Sequence, residues 1–121
     1  MSDIIATLLL RNLQEVFGEV DAARRRAAIE DLYSEDCVVL LPLGRHVGQQ
    51  PLDQIAGELR AGHPTFVYTP HTIPQAVQDG GRIAWGSGPA GEPPRYTGLD
   101  VIIARDGKIA ALYVFLDSPP V

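Results

Sequence analysis

The stretch "YTGLDVIIARDGKIAALYVFLD", residues 96–117, decides the fold. Two runs rich in β-branched and aromatic residues flank Asp106-Gly107, which is a strong signal for a tight turn between antiparallel strands. The second run is apolar at odd and even positions alike, so both faces of that strand are expected to be covered. We therefore expect helices and a pocket on one face, and a second copy of the chain on the other, giving a homodimer through the sheet.

Asp100 interrupts the first of these runs, between Leu99 and Val101. An ionised carboxylate buried alone is prohibitively costly, so Asp100 must be paired, hydrogen-bonded or neutral. A neutral, desolvated carboxylic acid has a raised pKa and can donate a proton near pH 7. The sequence favours an Asp100 that faces a pocket, with Gly98 beside it leaving room for a ligand. The alternative is a structural carboxylate that bonds a backbone group or a basic side chain.

Length, charge and cysteine usage limit the classes of function. A chain of 121 residues is expected to form a single domain over residues 1–121. The net charge of −5 disfavours nucleic-acid binding, which needs clustered positive charge. The lone Cys37 excludes an intrachain disulfide, and the scattered histidines predict no metal site. With no leader or membrane span recognised, we expect a cytoplasmic protein with no membrane partner.

Helical and extended patterns separate along the chain. Helical spacing predicts a first helix ending near Gly18 and capped by Ser2 or Asp3. A second helix, "AARRRAAIEDLY", follows Asp21 as its cap, and a third, "PLDQIAGELRAG", starts at Pro51. The strand pair "CVVLLPLG" and "RHVGQ" precedes the third helix, and four antiparallel strands follow it. This order predicts an α+β fold with helices packed on one face of a curved sheet.

The element order and three local patterns resemble the nuclear transport factor 2-like (NTF2-like) superfamily, in particular its SnoaL-like or polyketide-cyclase-like members. The patterns are "IEDLYSEDCVVLLPLG", "GRHVGQQPLDQIAGEL" and the closing "GLDVIIARDGKIAALYVFLD". The resemblance implies an NTF2-like cone, or cystatin-like roll. In this fold three N-terminal helices pack on a curved, mostly antiparallel sheet around an apolar pocket. The fold hosts isomerases, dehydratases, cyclases and binding proteins, so it does not determine the function.

The resemblance also implies roles for individual residues. Ketosteroid isomerases of this fold use a carboxylate base together with a tyrosine and a protonated aspartic acid, an arrangement well known for its neutral acid. Asp100 matches the aspartic acid, whereas the base position falls near Leu41 and the tyrosine position near Leu13. The Asp-Arg-Asp set of limonene-type epoxide hydrolases has no match. SnoaL-type cyclases use a pocket aspartate as general acid/base with His, Asn or Trp neighbours, and Asp100, His71 and Trp85 supply such groups.

The remaining candidates are titratable or aromatic. His71 is expected to exchange a proton with Asp100, or else to be an exposed histidine at a bulge made by Pro70 and Pro74. His63 is expected at the surface. The residues expected to bind the ligand are Trp85, Tyr113, Tyr68, Tyr33, Leu41 and Leu13. For the aromatic members of this set the alternative is a role in the core.

We therefore expect a small-molecule pocket protein that binds an apolar organic ligand. If it is an enzyme, it is a cofactor-independent isomerase, cyclase or dehydratase, without a metal, in which Asp100 and His71 are catalytic. The alternative is a non-catalytic ligand-binding or protein-interaction domain of the same fold, which the apolar Leu41 favours. A scaffold with no present substrate is a third interpretation.

Overall fold

The computed structural model describes residues 2–117, without the side chains of residues 2 and 3, so the expected cap at Ser2 or Asp3 lies outside the described side chains. The helices are α1 (Ser2–Arg11), a π-helix that continues it (Asn12–Phe17), α2 (Ala22–Leu32) and α3 (Gln49–Gly62). The strands are β1 (Tyr33–Leu41), β2 (Gly44–Val47), β3 (Phe66–Pro70), β4 (Gln75–Val77), β5 (Gly80–Pro89), β6 (Tyr96–Arg105) and β7 (Lys108–Leu116).

The seven strands form one curved mixed sheet in the order β2-β1-β7-β6-β5-β3, and β4 pairs with the beginning of β5. Every pairing is antiparallel except that of β1 with β7, which is parallel. The predicted α+β fold is confirmed. Five strands follow α3 rather than the expected four, because the stretch with Pro70 and Pro74 is divided into β3 and β4.

The helices pack on one face of the sheet, which we call the inner face. Helix α1 contacts β4, β5 and β6, helix α2 contacts β1 and β7, and helix α3 contacts β1 and β2. The fully buried side chains between these layers include Leu9, Leu13, Ile29, Leu32, Leu52, Ile83, Ile102 and Leu112. Burying each such side chain contributes about 1.5–3 kcal/mol, so this core holds the helices on the sheet.

Local signals explain where the elements begin and turn. Asp21 Oδ2 accepts a hydrogen bond from the backbone N–H of Arg24 at 2.8 Å, which confirms the predicted cap of α2. Asp106 and Gly107 both have positive φ, 54° and 78°, as a type I′ turn requires. Helix α3 begins two residues before Pro51, which therefore lies in the first turn, where a missing N–H costs no helical hydrogen bond.

The first helix departs from the regular α-helix that its spacing predicts. Residues Asn12–Phe17 form a π-helix, in which the bonding from residue i to residue i+5 widens the turn. Asn12 and Leu13 are buried together with Val16 and Phe17. A polar side chain, Asn12, therefore lies in the apolar interior.

The opposite face of the sheet, which we call the outer face, remains partly open in the described part of the chain. On β7, Tyr113 is 40% exposed and Phe115 is 54% exposed. On β6, Val101 lies opposite Tyr113 and Leu99 lies opposite Phe115. An apolar surface thus crosses two strands, as the sequence pattern of β7 predicts.

Candidate active site

Asp100 lies in the middle of β6 and faces the helices. Only 2% of its surface is exposed. Its neighbours across the sheet are Ile83 of β5 and Val114 of β7. Because side chains alternate along a strand, Gly98 and Ile102 share its face. The carboxyl group is therefore held in an apolar layer of the protein.

Two neutral side chains bind the Asp100 carboxyl group. Trp85 Nε1 donates to Oδ1 at 2.9 Å, and Asn12 Nδ2 makes a longer contact to Oδ2 at 3.5 Å. The Tyr33 hydroxyl donates to Asn12 Oδ1 at 2.5 Å, which orients the amide so that its NH₂ group points at Asp100. Among residues 4–117, no basic side chain forms an ion pair with Asp100.

The surroundings of Asp100 favour its neutral form. Burial raises the pKa of Asp100 from 3.8 to about 7, and the hydrogen bonds from Trp85 and Asn12 lower it only in part. Burial, and then the charge of Asp100, raise the pKa of Tyr33 well above 10.0, so its hydroxyl remains a donor at neutral pH. Near pH 7 both forms of Asp100 are populated, and the group can either donate or accept a proton.

Asp100 lines a cavity of about 350 Å³ between the helices and the inner face of the sheet. Most of the lining side chains are apolar, among them Leu13, Phe17, Leu41, Ile55, Val114 and Leu116. The polar groups on its walls include Arg60, Tyr68, Ser87 and Tyr96. A cavity of this size, with apolar walls and a few polar groups, is suited to a small organic molecule.

Five of the residues expected at the site line this cavity: Asp100, Trp85, Tyr68, Leu41 and Leu13. The rings of Tyr68 and Trp85 pack with their centroids 5.3 Å apart and form an aromatic wall. Leu41 and Leu13 present apolar side chains where the resemblance to ketosteroid isomerases implies a base and a tyrosine. Among the lining residues that the structure describes, the only carboxylate is that of Asp100.

His71 does not lie with Asp100, which corrects the expected catalytic pair. Its side chain is exposed, and its imidazole occupies the space where a side chain at Gly86 would project. Gly86 follows Trp85 on β5, so its side-chain position is on the outer face, opposite to the cavity. A direct proton exchange between His71 and Asp100 is therefore not available in this geometry.

Two expected ligand-binding tyrosines also lie outside the cavity. Tyr113 is on the outer face because its neighbour Val114 points into the cavity, and successive side chains of a strand point in opposite directions. Tyr33 is fully buried at the start of β1 and reaches the site only through Asn12. The sequence identified both residues as aromatic groups near the site, but not the face or depth at which they lie.

Sequence reasoning missed several groups of the site, namely Asn12, Arg60, His63, Ser87 and Tyr96. Asn12 had a detectable signal, since it interrupts an apolar helical stripe as Asp100 interrupts an apolar strand. His63 was expected only at the surface, but it also lines the cavity and stacks on Phe66 with ring centroids 4.3 Å apart. Arg60 gave no signal, because a basic residue near the end of an amphipathic helix is typical of a solvent-exposed position.

A family model described as a SnoaL-like domain matches residues 13–112. The chain belongs to the SnoaL-like family. A search of the curated proteins finds no match for it. Among solved structures, this SnoaL-like protein is similar to a proposed isomerase of the SnoaL-like family from Agrobacterium tumefaciens strain C58. The TM-score is 0.87 at 23% identity, over 98% of this chain and 100% of that chain.

Two further structures extend the comparison. One is an NTF2-like protein of unknown function from Mesorhizobium loti, with a TM-score of 0.71 and 22% identity over 97% of this chain and 93% of that chain. The other is a proposed polyketide cyclase from Sinorhizobium meliloti, with a TM-score of 0.68 and 18% identity over 94% of each chain. At these identities the likeness shows the fold, which is the NTF2-like fold that the resemblance implied.

Among the side chains of residues 4–117 of this SnoaL-like protein, no group of three or more His, Cys, Asp or Glu residues is placed to hold a metal ion. In the same range no helix is long and apolar enough to cross a membrane. Cys37 is fully buried, and burial raises the pKa of its thiol, so it serves as a small core residue.

Gly98 makes room for Trp85 rather than for a ligand, which corrects a second expectation. A Cβ at this position would lie 2.5 Å from Trp85 Cζ2 and 2.6 Å from the carbonyl oxygen of Phe115. The indole therefore lies directly over the glycine, and this close approach brings Nε1 within hydrogen-bond distance of Asp100.

We expect Gly98→Ala to lower the free energy of unfolding by about 1–3 kcal/mol, since the added methyl group displaces the indole and presses on backbone. The matched control is Gly62→Ala in α3, where a Cβ would meet nothing within 4 Å. That control should change stability by less than about 1 kcal/mol. Urea unfolding compares the two variants with the wild type. Equal stability of the two variants would contradict the close packing of Trp85 on Gly98.

Proposed function

We propose that this SnoaL-like protein is a cofactor-independent isomerase, cyclase or dehydratase that moves a proton on a mainly apolar small molecule, with Asp100 as the general acid/base. One observation carries the proposal: Asp100 is buried on the wall of an apolar cavity, has no basic partner among the described side chains, and has a pKa of about 7. Membership of the SnoaL-like family and the likeness to proteins named as an isomerase and a polyketide cyclase support this class of reaction.

In the proposed reaction, the ionised carboxylate of Asp100 accepts a proton from a carbon next to a ligand carbonyl group. The electron pair of the broken C–H bond moves to the carbonyl oxygen and forms an enolate. Tyr68 and Ser87 line the same cavity, and their hydroxyl groups are the donors available to this oxygen. Protonated Asp100 then returns the proton to a second carbon in an isomerisation, to a new alkoxide in a ring closure, or to a leaving hydroxide in a dehydration.

The donors around Asp100 suit this change of charge. Trp85 and Asn12 are neutral and are held by their own packing and hydrogen bonds. They can therefore keep the carboxyl group in one position while it gains and loses a proton. A basic partner would instead favour the ionised form and lower the pKa far below neutrality.

The test is proton exchange on 2-tetralone, a neutral bicyclic ketone with acidic protons next to its carbonyl group. Nuclear magnetic resonance in deuterium oxide follows the loss of these protons. We expect a saturable exchange rate above that of the buffer, with half of its maximum reached near pH 7, as ionisation of Asp100 requires. A rate equal to that of the same concentration of heat-denatured protein would contradict the catalytic proposal.

The alternative function is binding without catalysis. Leu41 and Leu13 favour it, because they are apolar where the resemblance to ketosteroid isomerases implies functional groups. Under this alternative, calorimetry shows that 2-tetralone binds while the exchange rate stays at the buffer value. Calorimetry and the exchange measurement, both made with 2-tetralone, therefore distinguish the two functions.

We also propose that the outer face of the sheet joins two copies of the chain. Leu40, Tyr113 and Val101 lie side by side across β1, β7 and β6, and Leu99 and Phe115 form the next row. Contiguous exposed apolar surface of this kind is typical of protein interfaces. A second copy would present the same rows and cover them through a twofold contact.

We expect Phe115→Glu to convert a wild-type dimer into a monomer in sedimentation velocity experiments, because the carboxylate would be buried without a partner at the contact. Val20→Glu is the matched control, since Val20 is also exposed but lies in the connection between the π-helix and α2. This control should remain dimeric. A monomeric wild type, or a Phe115→Glu variant that stays dimeric, would contradict the proposed contact.

A further inference from the structure

Arg60 of α3 contributes a buried cation to the wall of the cavity. Only 6% of the surface of Arg60 is exposed. Nη1 donates to the carbonyl oxygen of Phe66 at 2.8 Å, and Nη2 donates to that of Pro64 at 3.1 Å. The buried Nε–H has no hydrogen-bond partner among the described side chains of residues 4–117 or the backbone of residues 2–117. Neutral groups thus fix the guanidinium through two of its five N–H groups, while the buried Nε–H remains unused.

The other buried arginine, Arg25 of α2, shows what Arg60 lacks. Arg25 is 7% exposed, and its Nε lies 3.1 Å from Asp53 Oδ1, so a carboxylate compensates its charge. No carboxylate in residues 4–117 forms such a pair with Arg60. A buried charge without a counterion is costly. An anion supplied by a ligand would remove this cost.

Arg60 and Asp100 both act on the same part of the cavity wall. Burial raises the pKa of Tyr68, the charge of Arg60 lowers it, and the charge of Asp100 raises it. Arg60, Tyr68 and Asp100 all line the same cavity, so one bound molecule can contact both the cation and the carboxyl group.

We propose that the ligand is an apolar carboxylic acid whose carboxylate binds Arg60 while its reacting carbon faces Asp100. This inference deepens the proposed function and rests on it for the role of Asp100. The overall net charge of −5 offers no general attraction to anions, so a preference for an acid must come from the local cation. Apolar walls between the two groups fit the hydrocarbon body of such a molecule.

The test compares 2-naphthoate with its neutral analogue 2-naphthamide by titration calorimetry. At about pH 6 most Asp100 is protonated and the naphthoate is ionised, so repulsion between the two carboxylates is small. We expect the wild type to bind 2-naphthoate at least about tenfold more tightly than 2-naphthamide, and Arg60→Met to bring this ratio to about one. Arg45→Met is the control, because Arg45 is an exposed arginine of β2. It should keep the wild-type ratio.

A second measurement does not depend on how well the Arg60 variant folds. The Nε–H signal of Arg60 in the wild-type spectrum should shift on addition of 2-naphthoate and stay in place on addition of 2-naphthamide. Equal affinity for the two probes, or binding of 2-naphthoate without a shift of this signal, would overturn the inference. An Asp100→Asn variant should keep the preference for the acid, so a failure of the proposed catalysis remains distinguishable from a failure of the proposed ligand class.

Discussion

Asp100→Asn is expected to slow the proton exchange on 2-tetralone by about 10²- to 10⁴-fold, the usual contribution of a general acid/base. Asparagine has nearly the same size as aspartic acid and can still accept the hydrogen bond from Trp85, but it cannot take up or release the proton. Binding of 2-tetralone should therefore change by less than about threefold, because the cavity keeps its shape. Nuclear magnetic resonance measures the effect on the exchange rate, and calorimetry measures the effect on binding.

The matched control for this variant is Asp106→Asn. Asp106 is an exposed residue of the turn between β6 and β7, and its φ of 54° is one that asparagine adopts readily. This change removes the same charge at a site remote from the cavity, so the exchange rate should match that of the wild type. If Asp100→Asn exchanged the protons of 2-tetralone as fast as Asp106→Asn does, Asp100 would not be the acid/base.

The second large effect is on stability. The pKa of Asp100 is about 7 in the folded protein, against an ordinary value of 3.8 that the unfolded chain should have. Below about pH 4 the group is protonated in both states and imposes no cost. Between pH 4 and 7 the unfolded chain loses the proton first, so the free energy of unfolding falls as the pH rises. The full loss, reached above pH 7, is about 4 kcal/mol.

Urea unfolding at a series of pH values tests this loss, with Asp100→Asn as the reference. The variant has no ionisable group at this position, so the stability difference between wild type and variant isolates the contribution of Asp100. The difference in the free energy of unfolding between the two proteins should be constant below about pH 4. By pH 8 the wild type should have lost about 4 kcal/mol of stability relative to Asp100→Asn. A difference that is independent of pH would mean that folding leaves the pKa of Asp100 unchanged.

Fluorescence gives a direct measurement of the same pKa. Trp85 is the one tryptophan of the chain, and its Nε1 donates to the Asp100 carboxyl group. Ionisation of that group changes the field at the indole, so the emission of the folded protein should change with a midpoint near pH 7. The change should be absent in Asp100→Asn.

Much of the fold was predictable because its signals are local. The turn at Asp106-Gly107, the cap at Asp21 and the apolar runs of β6 and β7 each depend on neighbouring residues only. Asp100 was found in the same way, as a charged residue in an apolar strand. The family resemblance then supplied the arrangement of these elements, which no local signal contains.

The side chains that make up the site were less predictable, because their positions depend on which face of the sheet each one occupies and on the register between strands. A bulge illustrates this: Ile103 pairs with Ala111 and Ala104 pairs with Ile109, so Ala110 is skipped. Ile109 therefore joins the buried layer, although in a regular strand its spacing of four residues would place it on the same face as the exposed Tyr113. His71 was misplaced because the chain leaves the strand after Pro70. Arg60 was missed because its burial depends on carbonyl groups contributed by the following connection and by the start of β3.

The π-helix at Asn12–Phe17 makes one contact of the site depend on residue count rather than on residue identity. A π-helical segment contains about one residue more than an α-helix that connects the same two points. Deleting one residue from this segment would therefore restore a regular α-helix without moving the chain before or after it, and would change only which side chains of the segment face the interior. The insertion or deletion of a single codon can thus change the side chain that faces Asp100 without substituting any residue of the sheet.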